Sequence, residues 1–272
     1  MASVLEHLSD GNAQVLVTTH SPYFVSGKGF HNVRMIRDSR ADKCTKVSFA
    51  SHNDLSAMLS GALGEESRSA TTTMAAVEQI MQPSQNELFF TKAAIFVEGL
   101  EDVAYISTYM QLTGRWHNFR KFGCHFIVCD GKNRLSRPLA IAKLLGIPSF
   151  AIADGDTNCQ QNERDNHRRD NQCILRICQV DGDPFPKATQ WLNGVVLWTT
   201  CIKDEVKAEF GDDLWNAVAD KVRNDHGLAN VSPKNTIFIA GVLEELYGQK
   251  KLSKILDQLC DHILDYAAKY HE

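Results

Sequence analysis

The sequence predicts an α/β fold in which a parallel sheet is flanked by helices and followed by a C-terminal helical extension. Two observations carry this prediction. Apolar runs typical of strands alternate with helical segments between residues 93 and 156, and the last twenty residues have the apolar spacing of an amphipathic helix. The strand-like runs are continuously apolar, as in parallel strands that are covered on both faces.

The central β-α-β-α-β unit is the most regular part of the chain. Its predicted strands are AAIFVEG (93–99), CHFIVCDG (124–131) and PSFAIADGD (148–156). The segment after the first strand has Val103, Ile106 and Met110 at helical spacing, and RLSRPLAIAKLLG forms the second predicted helix. This order implies parallel strands joined by right-handed crossovers.

The flanking segments are less regular. QVLVT (14–18) predicts a short buried strand, and VRMI and KVSFA, separated by DSRADK, predict a hairpin. Residues 54–82 are helical in character but interrupted, which predicts a connector. NGVVLWTT (193–200) predicts a further strand, and the helical end has an apolar stripe. That stripe packs either within the chain or against a second copy, as a homodimer.

Composition limits the class of protein. The 272 residues are 43% apolar and 23% charged, with a net charge of −4. No apolar run is long enough to span a membrane, and the first residues lack the pattern of a signal peptide. Eight cysteines without a CxxC pair predict a reducing cytoplasm. A protein that binds nucleic acid over its whole surface would usually be basic, so the acidic balance disfavours a pure binding module.

Four carboxylates are predicted to meet at one edge of the sheet. Glu98 ends the first central strand, and Asp154 and Asp156 end the third. Asp102 lies one helical turn after Glu98 and can face the same crevice. A lone glutamate at a strand end is usually a solvated cap, and a lone Asp-x-Asp is common in loops. Because both occur here at strand ends of one unit, the pattern predicts a site for Mg²⁺ or Mn²⁺, which prefer oxygen ligands.

These motifs resemble a known family. FVEGLED followed by FAIADGD is similar to the signature of TOPRIM (Rossmann-like) domains, which occur in topoisomerases, primases and several nucleases. The second acid in VEG-x-x-D, together with QVLVTTHSPYFVSG, resembles the OLD (overcoming lysogenization defect) nucleases. In that family the end of an ABC-type ATPase domain comes directly before the TOPRIM domain.

The resemblance implies an activity and a mechanism. We expect a divalent-metal-dependent DNA endonuclease or nickase that hydrolyses phosphodiester bonds with two ions. Glu98 and Asp154 would hold one ion, and Asp102, Asp156 and a later acid the other. By order along the chain the later acid is Glu205, and the catalytic lysine is Lys234. Glu205 is as well explained by the preference for acids at a helix N-terminus, and Lys234 by an ordinary surface lysine.

The resemblance also implies a domain organisation. Residues 1–50 would be the end of the ATPase, with His20 as its switch histidine; 51–90 a helical connector; 91–200 the TOPRIM domain; and 201–272 a helical part that completes the nuclease. The sequence contains no phosphate-binding G-x-x-x-x-G-K-[ST] loop. We therefore expect ATP binding only in a longer protein of which this chain is the C-terminal part.

Alternatives stay open at this point. Lys132 and Arg134 are candidates for contacts to DNA phosphates, or are ordinary surface charges. A zinc site of Cys159, His167, Cys173 and Cys178 is disfavoured because its spacing lacks the short pairs of structural zinc sites. The function itself has two rivals: another TOPRIM phosphoryl transferase, primase-like or small ribonuclease-like, and a non-catalytic regulatory domain of an ATPase.

Overall fold

The computed structural model describes residues 2–11, 13–39, 44–66 and 69–271. The strands are β1 (Met35–Ser39), β2 (Cys44–Ser48), β3 (Ala93–Val97), β4 (Cys124–Val128), β5 (Ser149–Ala153), β6 (Gln190–Leu192) and β7 (Val195–Leu197). The first helices are α1 (Ala2–Ser9), α2 (His52–Leu63), α3 (Ala70–Glu78), α4 (Pro83–Asn86), α5 (Leu100–Leu112) and α6 (Trp116–Lys121). The remaining helices are α7 (Lys132–Leu144), α8 (Arg164–Ile177), α9 (Ile202–Phe210), α10 (Asp212–Asp225), α11 (Thr236–Gly248) and α12 (Lys254–Ala268).

A five-stranded sheet in the order β4-β3-β5-β7-β6 forms the centre of the fold. Its first four strands are parallel, and β6 joins the edge antiparallel to β7. The predicted α/β class, the parallel central strands and the C-terminal helices are therefore confirmed. Strand β3 lies between β4 and β5, so Glu98 follows a central strand.

Helices cover both faces of this sheet, because alternate residues of each strand point to opposite sides. Ile95 and Ile152 belong to the core formed with α5 and α9–α12. Phe96 and Ala151 belong to the core formed with α2, α3, α7 and α8. The continuous apolar runs of β3 and β5 are explained by this double coverage.

The predicted hairpin is confirmed: β1 pairs antiparallel with β2. Its connection, residues 40–43, lies outside the described residues. Residues 51–90, expected to be a connector, contain α2 and α3, which bury Leu55 and Val77 in the same core as Phe96. The segment thus covers one face of the sheet as well as linking its neighbours.

The predicted strand at residues 14–18 is wrong. Residues 13–21 form no regular secondary structure and have no sheet pairing, and Leu16 is 91% exposed. A strand is stable only when its backbone groups are paired. In the part of the chain that the structure describes, no strand lies alongside this segment.

The apolar stripe of the last helix packs within the chain. Leu256, Leu259 and Ile263 of α12 are fully buried in the core shared with α5 and α9, while Leu252, before the helix, is half exposed. Between the two packing partners that the sequence left open, the structure shows the intramolecular one. No helix in the described ranges has both the length and the apolar character needed to cross a bilayer.

Candidate metal centre

The predicted acids lie where the parallel strands end. Glu98 directly follows β3, and Asp154 and Asp156 follow β5, the neighbouring strand. The backbone N–H of Asp154 donates a hydrogen bond to Oε1 of Glu98 at 2.8 Å, so these two strand ends are in direct contact. The structure therefore brings Glu98 and the Asp-x-Asp segment together.

Asp102 occupies the first turn of α5 and caps its own helix. Its Oδ2 accepts a hydrogen bond from the backbone N–H of Gly99 at 2.9 Å. The side chain is nevertheless only 3% exposed. Asp102 therefore caps α5 and also lies close enough to Glu98 and Asp154 for its charge to act on both.

Burial sets the electrostatics of the cluster. Desolvation raises the pKa of Glu98 to about 8 and that of Asp102 to about 7. The pKa of Asp154 is raised well above its usual value, first by desolvation and then by the charge of Glu98. Such carboxylates are poorly stabilised as anions unless a cation joins them.

Lys132 supplies a positive charge within the cluster. Its Nζ lies 2.6 Å from Oδ2 of Asp156 and donates to the carbonyl oxygen of Asp154 at 2.7 Å. The side chain is 5% exposed. The structure thus differs from the expectation that Lys132 lies at the surface for DNA phosphates, because the first residue of α7 points into the acids. Arg134, two residues later, is exposed.

The turn after β5 is tightly constrained. Asp156 has φ of +50°, an unusual value for a residue with a side chain. A Cβ on Gly155 would lie 2.1 Å from the carbonyl oxygen of Trp198, so only glycine fits there. Nδ2 of Asn171, on α8, donates to the carbonyl oxygen of Gly155 at 3.1 Å. The segment that carries both aspartates is therefore fixed by β7 on one side and α8 on the other.

Lys234 lies at the rim of the cluster, in the loop before α11. Its Nζ is 2.7 Å from Oε1 of Glu101, and this hydrogen bond raises the pKa of Lys234. Its charge also acts on Asp102 and on Asp154. The lysine chosen by its order in the sequence is thus close enough to influence the site.

Glu205 contacts the segment that follows β7. Its Oε1 accepts a hydrogen bond from the backbone N–H of Thr199 at 3.2 Å, at the start of α9. The side chain lines a cavity beside β6 and β7, together with Trp191 and Trp198. This placement fits the helix-terminus explanation of Glu205, and its role as a metal ligand stays a prediction.

His20 lies in segment 13–21, which has no regular secondary structure. It is exposed, and its ring lies edge-on to that of Phe90, with centroids 6.3 Å apart.

Two residues that contact the Asp-x-Asp segment were not predicted from the sequence to belong to this site. Nδ1 of His167 lies 2.9 Å from Oδ2 of Asp156, and Asn171 holds the Gly155 turn. They lie four residues apart on α8, on one helical face. This four-residue spacing in a helix that follows the Asp-x-Asp segment is the sequence signal that could have identified them.

No zinc site forms. Among the described residues, no group of three or more His, Cys, Asp and Glu side chains is arranged as a metal site. The four carboxylates are included in this finding. Lys132 donates to Oδ2 of Asp156, and backbone N–H groups donate to Oε1 of Glu98 and Oδ2 of Asp102. All eight cysteines are free thiols.

A family model matches the part of the chain that contains the strand-end acids. The model of the overcoming lysogenization defect protein-like TOPRIM domain matches residues 89–156, from the segment before β3 to Asp156. Residues 89–156 are therefore similar to an OLD-like TOPRIM domain. Its limits include Glu98, Asp102, Asp154 and Asp156, and they exclude Glu205 and Lys234.

Relatives of the OLD type are also found over longer stretches. An OLD nuclease of Thermus scotoductus is 28% identical over 145 residues, which cover 53% of this chain and 25% of the relative. The match thus spans a quarter of that protein. The C-terminal region of the Xanthomonas campestris pv. campestris OLD protein covers 68% of this chain with a TM-score of 0.46 and 14% identity. The C-terminal region of the Burkholderia pseudomallei OLD protein covers 67%, with a TM-score of 0.42 and 14% identity.

Proposed function

We propose that this chain carries the nuclease centre of an OLD-type enzyme, a divalent-metal-dependent phosphodiester hydrolase that acts on DNA. One observation carries the proposal. Glu98, Asp102 and Asp154 gather at the carboxyl edge of the parallel sheet, and desolvation raises the pKa of all three. Buried acids at the ligand-binding edge of such a sheet are typical of a functional site.

The donor set fits Mg²⁺ or Mn²⁺ in its chemistry. Carboxylate oxygens are the ligands that these ions prefer, and desolvated carboxylates gain most from a nearby cation. The ammonium of Lys132, 2.6 Å from Asp156, already occupies such a position. Metal binding would therefore require that Lys132 and the acids rearrange, with Lys132 withdrawing from Asp156.

The residues have separate proposed roles. Glu98 and Asp154 would hold one ion, and Asp102 and Asp156 a second. Bound divalent ions supply charge compensation and lower the pKa of an attacking water in two-metal hydrolases. Lys234, exposed at the rim, would stabilise negative charge on the phosphate.

Further residues would bind and orient the substrate. Arg134, at the exposed start of α7, would contact a DNA phosphate near the helix N-terminus. Lys132 would take the same role once it leaves Asp156.

The domain organisation is proposed in the same terms. Residues 1–50 would belong to an ATPase domain, with His20 as a switch residue, and ATP would act only in a longer protein. Residues 51–90 would link that domain to the TOPRIM domain at 91–200, and 201–272 would complete the nuclease. The eight free thiols favour a reducing cytoplasm. A homodimer would need a surface other than the buried stripe of α12.

Nicking of supercoiled plasmid with Mg²⁺ or Mn²⁺ tests the proposal. Asp154→Asn and Glu98→Gln, which keep the side-chain shape, should lower the rate on the order of a hundredfold or more. Asp212→Asn is the matched control, since Asp212 is exposed in an ion pair with Lys207. Cleavage that survives both site variants would exclude this centre.

The two alternative functions predict different results for the same protein. Incorporation of labelled nucleotide into a primer would favour a primase-like activity. An absence of cleavage together with no Mn²⁺ binding in calorimetry would favour a non-catalytic domain.

A further inference from the structure

A cavity of about 460 Å³ lies beside the acidic strand ends, on the β7 side of the sheet. Its volume is in the range of ligand-binding pockets, roughly 300–1,000 Å³. Its lining residues combine two indoles with polar and charged groups: Lys187, Thr189, Trp191, Trp198, Glu205 and Gln258. None of the roles proposed above uses the cavity itself.

Two buried polar atoms in its wall have no hydrogen-bond partner among the described residues: Nε1 of Trp198 and Oγ1 of Thr189. Trp198 is fully buried. Buried polar atoms are almost always hydrogen-bonded, and each one that is not requires an explanation. Both atoms belong to residues that line the cavity, so the described residues leave part of its polar wall without hydrogen bonds.

The cavity adjoins the candidate metal centre. The carbonyl oxygens of Trp198 and Thr199 approach Gly155 so closely that a Cβ there would lie within 2.6 Å of both. The backbone N–H of Thr157 donates to the Thr199 carbonyl at 3.1 Å. A group bound in the cavity would therefore lie next to the segment that carries Asp154 and Asp156.

We propose that this cavity receives an unpaired nucleobase of the DNA substrate, from a nucleotide next to the phosphate held at the acids. The proposal deepens the nuclease function and depends on it. A nucleobase is planar and carries both donors and acceptors at its edge. The partly exposed indole of Trp191 would stack on it, and the exposed side chain of Gln258 would hydrogen-bond to its edge.

Charged groups at the cavity would orient the nucleotide and select its base. Lys187 is exposed and would contact the phosphate of the bound nucleotide. The side-chain oxygens of Glu205 would accept a hydrogen bond from an exocyclic amino group such as that of cytosine. Thymine has no such group, so the pocket should prefer cytosine to thymine.

The structural requirement is an unpaired base. A base within a duplex is stacked and paired, and it reaches a pocket only after it leaves the helix. Single-stranded or locally unpaired DNA is therefore the expected substrate class.

The test measures binding of the 272-residue chain to labelled 12-nucleotide strands by fluorescence anisotropy, in EDTA so that no cleavage occurs. The probes are oligo-dC, oligo-dT and an abasic strand with the same charge. Oligo-dC should bind more tightly than the abasic strand, by roughly 5- to 150-fold for one stacked base. Trp191→Ala should remove most of that difference without changing binding of the abasic strand.

Further variants show whether a lost base preference comes from lost stacking, from misfolding or from a change of charge. Trp191→Phe keeps an aromatic ring and should retain part of the preference, whereas Tyr247→Ala, at an exposed tyrosine of α11, should leave it unchanged. Glu205→Gln should reduce the preference for oligo-dC over oligo-dT. Equal binding of oligo-dC and the abasic strand, or an unchanged preference in Trp191→Ala, would overturn the proposal.

The two proposals fail in different ways. If the plasmid remains uncut while Trp191→Ala weakens base binding, the nuclease function is wrong and the cavity is a base-binding site without a cleavage centre. If cutting occurs but bases make no difference to binding, the pocket proposal is wrong. A loss of Mn²⁺ binding in Glu205→Gln would instead assign Glu205 to the metal, as its position in the sequence predicted.

Discussion

Lys132 is the residue whose position says most about the centre. Its ammonium is nearly inaccessible and bonds both Asp154 and Asp156. Lys132 is buried and Asp156 is partly exposed, so removal of the ammonium should cost an amount at the lower end of the roughly 3–5 kcal/mol that is typical of fully buried pairs. We expect Lys132→Met to lower the free energy of unfolding in EDTA by about 3 kcal/mol, and Mn²⁺ to restore more stability to the variant than to the wild type.

Urea denaturation with and without Mn²⁺ measures both effects. Lys207→Met is the control, since the Lys207–Asp212 pair is exposed and worth about 0–1 kcal/mol. A variant as stable as the control in EDTA would show that Lys132 does not neutralise the acids.

The raised pKa values predict how stability depends on pH. Glu98 titrates near pH 8 and Asp102 near pH 7 in the folded protein, above their ordinary values of 4.5 and 3.8. The folded state then binds more protons than the unfolded state between those values, so stability falls as pH rises. In EDTA we expect the free energy of unfolding to decrease between about pH 5 and pH 8. Chemical denaturation across this range measures the slope.

Glu98→Gln should flatten that dependence because glutamine does not titrate. Mn²⁺ should stabilise the wild type more at pH 8 than at pH 6, since metal ligands must be deprotonated. A stability that rises from pH 6 to pH 8 in EDTA would contradict the prediction.

At the level of elements, the contact between the ends of β5 and β7 determines the geometry of the site. A Cβ on Gly155 would clash with two carbonyl oxygens, whereas one on Gly61, within α2, meets nothing within 4 Å. Gly155→Ala should therefore destabilise the protein by about 1–3 kcal/mol or more through overpacking. Gly61→Ala should stabilise it by about 0.5–1 kcal/mol because alanine favours a helix. Thermal denaturation of the two variants compares them directly, and equal midpoints would show that the contact is loose.

Local patterns were sufficient to predict the central elements and the strand-end acids. The strands β3 and β5 are buried on both faces, so their runs were unmistakable, and Glu98 and Asp154 followed from the strand ends. Strand β6 was missed because QWL is short and mixed in character, although the Asn-Gly turn at 193–194 signals a hairpin. QVLVT has the apolar pattern of a strand, but a strand also depends on a neighbour that local sequence does not reveal.

The site was less predictable than the sheet for a different reason. The direction of a long side chain depends on what surrounds it. Lys132 was expected to face solvent, yet the acids attract it inward. Glu205 is bound by Thr199 at its own helix terminus, and His167 meets Asp156 only because α8 folds back over the strand ends.

For the whole molecule, the double coverage of one sheet predicts that residues 51–90 unfold together with the rest. Leu55 of α2 is fully buried against the face of the sheet opposite to the four tryptophans, which all pack on the other side. Leu55→Ala should cost about 2–5 kcal/mol. Since the two faces share β3 and β5, the urea midpoint followed by tryptophan fluorescence should fall to the same extent as that followed by circular dichroism.

A matched variant on the opposite face is Leu259→Ala, in α12, which should lower both midpoints by a similar amount. If Leu55→Ala leaves the fluorescence transition in place while a separate early transition appears in the circular dichroism, residues 51–90 form an independent unit.

The position of the Lys132 ammonium among the acids also affects how tightly a metal ion could bind there. Under the proposed function, a divalent ion that entered here would replace a cation instead of filling a purely negative space. Its affinity would then be a difference between two counterions, and the exchange would weaken binding. It would also release a lysine at the start of a helix, beside the crevice, when the metal arrives. Arrival of the metal and gain of a positive contact for a phosphate would then be one event.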